Sequence, residues 1–276
     1  MDFSKQKHFL ETFGYLVAPG LLKEDMPWIE KAFEAALQER GAAHDRTKRT
    51  GYVAFVDQSE RLCTLLDHPG VEALLSGLLG ENFNYIMSDG NCFVGDTHWH
   101  IDGAQWGGLS FFLKVGVYLD PVTRDTGCLR TIPGAHRVDY APGWNNVQAR
   151  DSLFDPDGPN PAMERWGIDQ RDMPSVAMES QPGDVVMFRL NMLHAAFGGS
   201  DRRRMFSLVC CPHCETEEEV RLLETCITKY RLHPSYELPR DVMRKTASPR
   251  RMRHLQQVLE IETRLLAQAP QEARAL

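Results

Sequence analysis

The sequence predicts a mainly β fold, an antiparallel sandwich or barrel with flanking helices, and three observations favour it. Apolar residues alternate with the period of a strand in several segments between residues 83 and 211. Glycine and proline turns separate these segments, and no helical pattern lies between them. The length of 276 residues suits one such domain, so we expect residues 1–276 to form a single domain.

Helical patterns precede and follow this strand region. Apolar residues recur at helical spacing within residues 1–80, which we expect to support the core, and again within residues 215–276. The N-terminal part should contain a short helix at Lys5–Phe13, a strand closed by a Pro-Gly turn at Tyr15–Gly20 and a longer helix at about Lys23–Arg40. One or two short helices are expected within residues 59–79, and two C-terminal helices at Glu215–Tyr230 and Arg250–Gln268.

The core region, residues 83–211, should consist of short strands. The clearest alternation lies in one of them, where Lys114 and Tyr118 share the less apolar face. That face lines either the interior of the fold or an exposed sheet surface. The predicted core strands are Phe83–Met87, Asn91–Val94, Thr97–Asp102, Phe111–Asp120, Cys128–Ile132, Val185–Leu190 and Met205–Cys211.

Residues 137–180 depart from the strand pattern. Prolines are frequent there, the segment includes Trp144 and Trp166, and little periodicity is visible. A long irregular insertion in a compact domain is usually a functional loop or disordered, and the two tryptophans favour the ordered state. We therefore expect an ordered lid insertion over a binding site at residues 137–180.

The composition excludes several classes of function. With a net charge of −7 and only short basic clusters, the chain lacks the basic stripe that nucleic-acid binding needs. No secretory leader is visible, and no apolar stretch reaches the roughly 18 residues of a membrane span. We expect a soluble, cytoplasmic protein with a small-molecule substrate, and the oligomeric state stays open. Seven scattered cysteines, including those in Cys210–Cys214, indicate reduced core residues, not disulfides or a zinc site.

The segment Thr97–Asp102 has a pattern typical of metal ligation. Residues two apart on a strand share a face, so His100 and Asp102 should project together. His194, just past a later strand, is the best candidate for a third ligand. Two imidazoles and one carboxylate on one face leave open positions on an iron ion, as in non-haem iron(II) oxygenases. The pattern thus predicts an iron site made of His100, Asp102 and His194.

Three consecutive arginines, Arg202, Arg203 and Arg204, follow His194 after a glycine-containing turn. The turn predicts a hairpin that returns a planar guanidinium to the metal, where it can bind a carboxylate with two hydrogen bonds. An odd loop would place Arg204 on the face of His194, and an even loop would place Arg203 there. We expect Arg204 in this position, with Arg203 as the alternative.

In their order along the chain, these motifs resemble the phytanoyl-CoA dioxygenase family of iron(II)/2-oxoglutarate oxygenases. The resemblance implies a double-stranded β-helix core, a cupin-like jelly roll with helices packed on one side. It implies iron(II) at His100, Asp102 and His194, 2-oxoglutarate and dioxygen as co-substrates, and an arginine among residues 202–204 on the C5 carboxylate of 2-oxoglutarate. The matching stretches cover about residues 7–211 and are Gly14–Leu22, Gly95–Asp102, Tyr118–Pro121, Thr126–His136 and Pro182–Arg204.

The carboxylate of Asp102 also indicates the type of reaction. Related halogenases have alanine or glycine in place of this ligand, so Asp102 favours hydroxylation. Ala196 departs from the family, whose members often have serine or threonine two residues after the distal histidine. We expect a small anionic substrate, such as an amino acid or an aminophosphonate, because surplus arginines lie near the expected mouth of the site: Arg124, Arg130, Arg202 and Arg203.

Two alternatives remain. His98 shares a predicted strand face with His100, so the first is a cupin-type metal site of His98, His100 and His194 that works without 2-oxoglutarate. The second is a β-sandwich binding module without catalysis. Trp106 either shields the iron pocket or packs in the core, and His136 is interpreted as structural.

Overall fold

The computed structural model describes residues 2–39, 44–102, 111–137, 167–199, 201, 203–231 and 242–268. Its strands form two antiparallel sheets, one of six strands and one of four, with flanking helices. The predicted fold class, mainly β with flanking helices and a jelly-roll core, is confirmed.

In chain order the strands are β1 (Tyr15–Ala18), β2 (Thr50–Val53), β3 (Asn84–Phe93), β4 (Thr97–His100), β5 (Leu113–Tyr118), β6 (Leu129–Thr131), β7 (Val176–Met178), β8 (Val185–Arg189), β9 (His194–Ala196) and β10 (Arg203–Cys211). The larger sheet has the order β1-β8-β5-β10-β3-β2, and the smaller has the order β4-β9-β6-β7. The helices are α1 (Ser4–Phe13), α2 (Met26–Glu39), α3 (Glu60–Cys63), α4 (Pro69–Leu79), α5 (Glu217–Tyr230), α6 (Val242–Lys245) and α7 (Pro249–Gln268). Short 3-10 segments lie at Lys23–Asp25, Val56–Gln58 and Thr64–Asp67.

Strand β5 shows how the six-stranded sheet divides the interior. Val115 and Val117 pack on the helical side, in a buried cluster that includes Phe33 of α2. Because side chains alternate along a strand, Lys114 and Tyr118 project the other way, into a cavity between the two sheets. Of the two placements that the sequence left open for Lys114 and Tyr118, the interior one is therefore correct.

The C-terminal helices cover one end of the larger sheet. Helix α5 begins with a capping box: the Thr216 hydroxyl accepts from the Glu219 amide at 3.2 Å, and the Glu219 carboxylate accepts from the Thr216 amide at 3.0 Å. This reciprocal pair satisfies two amides that the helix leaves without partners. Leu223 of α5 and Val258 of α7 pack in one buried cluster with Ile86 of β3.

Two features of the core differ from the sequence prediction. Gly90 was expected to separate two strands, but β3 runs through it, and a Cβ atom there would lie 2.5 Å from the ring of Phe55. The glycine therefore permits close packing and does not end the strand. The pattern also missed β2, β7 and β9, because elements of three or four residues show too little alternation.

Two predictions from composition concerned cysteines in the core and segments long enough to span a membrane. All seven cysteines are buried. In the described part of the chain, no helix combines the length and apolar character needed to cross a bilayer.

Replacing Phe206 with alanine should lower the free energy of unfolding by about 3–5 kcal/mol, because the site can relax only partly around the lost ring. Phe206 is 1% exposed and stacks on Phe55 with ring centroids 5.5 Å apart. Urea denaturation provides the measurement. The matched control is Phe13→Ala at a position that is 40% exposed, where a change of less than about 1 kcal/mol is expected. Equal effects would contradict the described core.

Candidate metal centre

A cross-strand pair brings the two predicted histidine ligands together. Strands β4 and β9 are antiparallel, and His100 lies directly opposite His194 in their register. The ring centroids are 4.1 Å apart. Asp102 follows two residues after His100, and one ligand atom from each of the three side chains lies within 4.8 Å of the others. The three residues, hereafter the triad, thus converge as the sequence predicted.

The outer nitrogen of each imidazole is held by the backbone. His100 Nδ1 lies 2.7 Å from the carbonyl oxygen of His98, and His194 Nδ1 lies 2.8 Å from that of Met192. A carbonyl oxygen can only accept, so each Nδ1 carries the proton and donates it. Each Nε2 then presents its lone pair toward Asp102. This is the tautomer and orientation that metal-ligating histidines need.

The charges at the triad favour the protonation states of metal ligands. Burial by itself raises the pKa of Asp102, but Lys114, His194 and His100 together lower it well below its usual range. Burial, followed by the neighbouring His100, lowers the pKa of His194 to about 3. Asp102 is therefore ionised and His194 neutral at physiological pH. A divalent cation could bind this carboxylate and this imidazole without displacing a proton from either.

A row of polar side chains leads away from Asp102 along the six-stranded sheet. Lys114 Nζ lies 2.8 Å from Asp102 Oδ2 and 3.6 Å from Asp89 Oδ2. Asn91 Nδ2 donates to Asp89 Oδ1 at 3.0 Å. Arg49 in turn donates to Asn91 Oδ1 through Nε at 2.9 Å. Nothing in the sequence prediction included Arg49, Asp89 or Asn91, although polar residues at alternate positions of a core strand, as at Asp89 and Asn91 of β3, indicate a lined cavity.

The triad and this polar row share one cavity of about 100 Å³. Aromatic and aliphatic side chains of both sheets complete its wall. Phe188 packs on His194 with ring centroids 4.6 Å apart. The apolar part of the lining includes Phe93, Tyr118, Leu129, Val186, Phe188 and Met205.

Of Arg203 and Arg204, Arg203 is the one that lines this cavity, and the placement expected for Arg204 is wrong. Arg203 lines the cavity and is buried, with Nη1 donating to the Gly127 carbonyl at 2.8 Å. Its guanidinium also lies over the ring of Phe93, 4.9 Å from the ring centroid. The guanidinium of Arg49 lies 4.8 Å from the centroid of the same ring. Within the described residues, the Arg203 guanidinium donates to the carbonyl oxygens of Gly127 and Gly95 and to the Thr97 hydroxyl.

Arg204 points to the other face of β10. Its Nε and Nη2 donate to the two oxygens of Asp120 at 3.0 and 2.7 Å, and Nη1 donates to Glu34 of α2 at 2.6 Å. These ion pairs hold α2 against the sheet. Consecutive residues on a strand point to opposite faces, so the parity of the hairpin decides between the two arginines.

The other residues that the sequence highlighted lie outside the triad. A register shift between Thr97 and His100 breaks the strand alternation, and His98 Nδ1 instead lies 2.9 Å from Gln170 Oε1. Arg130 donates to the carbonyl oxygens of Arg171 and Arg124, and neither Arg130 nor Arg124 lines the cavity. His136 contacts the Glu11 carbonyl at 3.1 Å.

Several predicted features lie outside the described residues. They are Trp106, Arg202 and most of the lid insertion, including Trp144 and Trp166. The described end of that insertion is more regular than expected, because β7 (Val176–Met178) pairs with β6.

Comparisons with known proteins agree with this architecture. A model of the family described as phytanoyl-CoA dioxygenase (PhyH) matches residues 10–206. Among solved structures, the non-haem alpha ketoglutarate dependent carbocyclase SnoK from nogalamycin biosynthesis is 22% identical over 76% of this chain and 83% of its own, with a TM-score of 0.56. EctD from S. alaskensis, with 2-oxoglutarate and 5-hydroxyectoine, is 21% identical over 76% of each chain, with a TM-score of 0.55.

A third solved structure, HygX from Streptomyces hygroscopicus with iron bound, is 15% identical over 78% of this chain and 88% of its own, with a TM-score of 0.56. At these identities the structures establish a shared fold. No curated protein sequence matches the chain.

Replacing Asp102 with alanine should weaken binding of a divalent cation by more than about 100-fold, because a metal ligand is lost. Loss of a residue that only hydrogen bonds a ligand typically costs about 10- to 100-fold. Anaerobic titration with Mn(II), monitored by calorimetry, gives the dissociation constant. His98→Ala is the matched control and should retain the affinity. Strong loss in His98→Ala with retention in Asp102→Ala would instead favour the cupin-type set.

Proposed function

We propose that this chain, which belongs to the phytanoyl-CoA dioxygenase (PhyH) family, is an iron(II)/2-oxoglutarate-dependent dioxygenase that hydroxylates a C–H bond of a small molecule. The observation that carries the proposal is the convergence of two imidazole Nε2 atoms and one carboxylate at the wall of a cavity that also contains a buried arginine. Two nitrogen donors and one oxygen donor fit iron(II), and they leave room for a co-substrate and dioxygen.

Each residue of the triad has a defined part in this proposal. His100 and His194 offer Nε2 as ligand atoms, and their backbone hydrogen bonds keep the rings oriented. Asp102 offers an ionised carboxylate. When bound, iron(II) would supply the activation of dioxygen, with 2-oxoglutarate as the reductant that is converted to succinate and carbon dioxide. The apolar wall, including Phe188 and Leu129, limits the access of water to the ligand atoms.

Arg203 is the residue that we assign to the far carboxylate of 2-oxoglutarate. A buried guanidinium beside apolar and aromatic groups gains most from a carboxylate that pairs with it through two hydrogen bonds. Arg203 reaches the same cavity as the triad, and its contacts with Gly127 and Phe93 hold the side chain in place. The bound co-substrate would then span from the triad to Arg203.

The polar row supports a small substrate that carries an anionic group, such as an amino acid or an aminophosphonate. Arg49 lines the cavity, where it donates to Asn91 and lies over Phe93, and it offers a cation to a carboxylate or phosphonate. Asp89 offers the opposite charge to an ammonium group. The ionised Asp102 favours hydroxylation over halogenation, because it occupies the position that a halide would need.

The function is tested by anaerobic loading with iron(II), followed by measurement of dioxygen consumption and succinate formation with 2-oxoglutarate. A screen of amino acids, aminophosphonates and uncharged metabolites should identify a compound that raises the rate. One succinate should form per dioxygen consumed, with one oxygen atom appearing in the product. Absence of succinate from iron-loaded protein with every compound would count against the proposal.

Replacing Arg203 with methionine should raise the KM for 2-oxoglutarate by about 10- to 100-fold, the loss expected for a charge-assisted pair. The matched variant, Arg204→Met, should leave this KM close to that of the wild type. It should instead lower the free energy of unfolding by about 3 kcal/mol, because Asp120 and Glu34 lose their partner. The reverse pattern would return the assignment to Arg204.

A further inference from the structure

Lys114 occupies an unusual position for a lysine. It lies on β5, in the centre of the six-stranded sheet, with β8 on one side and β10 on the other. Its side chain is 19% exposed and projects into the cavity, toward the four-stranded sheet. A lysine in such a place must lose most of its hydration, so its ammonium needs strong partners within the protein.

Two carboxylates supply those partners. Lys114 Nζ lies 2.8 Å from Asp102 Oδ2, which is hydrogen-bond distance, and 3.6 Å from Asp89 Oδ2. Asp89 is itself fixed, because its Oδ1 accepts from Ser207 Oγ at 2.8 Å and from Asn91 Nδ2 at 3.0 Å. The ammonium is therefore directed at Asp102 by groups on two further strands, β3 and β10.

The hydrogen bond distinguishes the two oxygens of Asp102. Oδ2 accepts from Lys114 and lies 3.8 Å from His194 Nε2, whereas Oδ1 lies 3.5 Å from His100 Nε2. The lysine hydrogen bond is made to Oδ2, so Oδ1 keeps its lone pairs beside the His100 imidazole. A carboxylate that is held in this way offers one oxygen to a cation and cannot readily swing to offer both.

We propose that Lys114 is a positioning residue that holds Asp102 as a ligand through one oxygen and keeps the remaining positions around the metal open for co-substrates. The inference rests on the proposed function, since it assigns Asp102 to the metal. Lys114 touches neither the metal nor the co-substrate in this role. It acts through the carboxylate, as groups that hydrogen bond metal ligands commonly do.

A purely electrostatic role for Lys114 predicts the opposite effect on affinity. Removing a positive charge beside a cation site should strengthen the binding of a divalent cation, because the repulsion between them is lost. Removing a positioning group should weaken it, because Asp102 loses its fixed orientation. The sign of the change therefore separates the two roles.

The experiment measures Mn(II) affinity anaerobically for the wild type, Lys114→Met and Lys114→Arg, each as the full chain. Methionine preserves the length of the side chain without its charge or donors. We expect the dissociation constant of Lys114→Met to rise by about 10- to 100-fold and Lys114→Arg to recover much of the loss. As a control for the loss of a lysine charge elsewhere, Lys31→Met at an exposed position of α2 should change the dissociation constant by less than about twofold. Unchanged or tighter binding by Lys114→Met would overturn the inference.

A crystal structure of the Mn(II)-loaded wild type provides a second test that does not depend on how a variant folds. We expect one oxygen of Asp102 on the metal and Lys114 Nζ within hydrogen-bond distance of the other. Two coordinating oxygens, or a lysine turned away, would overturn the inference while leaving the proposed function intact. If the wild type bound no Mn(II) at the triad, the proposed function and the inference would fall together.

Discussion

The register between β4 and β9 is the constraint on which the rest of the site depends. It sets His100 opposite His194, and a slip of one residue would turn one imidazole to the other side of its sheet. The short contact between the rings, with a centroid distance of 4.1 Å, exists only in this register. Asp102 lies two residues beyond His100, past the end of β4, and its Oδ2 accepts a hydrogen bond from Lys114.

The backbone also determines the chemistry of the imidazoles. Both rings donate from Nδ1 to the carbonyl oxygen two residues earlier, so the two ligands are oriented by the same local arrangement. Such a hydrogen bond fixes the tautomer without another side chain. The cavity wall is consequently left free for apolar residues and for groups that recognise ligands.

Charge inside the cavity is balanced locally. Asp102 and Asp89 share Lys114, and Arg49 donates to Asn91. Arg203 differs, since within the described residues it meets carbonyl and hydroxyl oxygens in place of a carboxylate. Buried charges in proteins are usually paired, so an arginine satisfied only by neutral acceptors is suited to an anionic ligand. The cavity therefore combines the triad, a buried arginine without a carboxylate partner among the described residues and a polar edge within one space.

The strand β10 illustrates how adjacent residues acquire unrelated functions. Arg203 faces the cavity, while Arg204 joins Asp120 and Glu34 on the helical side of the sheet. Both guanidiniums are buried, and both have fixed orientations. The face to which the strand turns each side chain decides which arginine lines the cavity and which one pairs with carboxylates on the helical side.

The sequence by itself determined the fold class and the pairing of His100 with Asp102, because strand alternation and the His-x-Asp spacing are local properties of the chain. His194 was a candidate from the sequence, and the register of β4 with β9 brings it to the other two residues. It did not determine which arginine enters the cavity, because the parity of a hairpin depends on how its strands pair. The irregular register near Thr97 likewise removed His98 from the face of His100. Tertiary structure alone placed Arg49 at the cavity and paired Lys114 with Asp102, since contacts between distant segments leave no periodic pattern in the sequence.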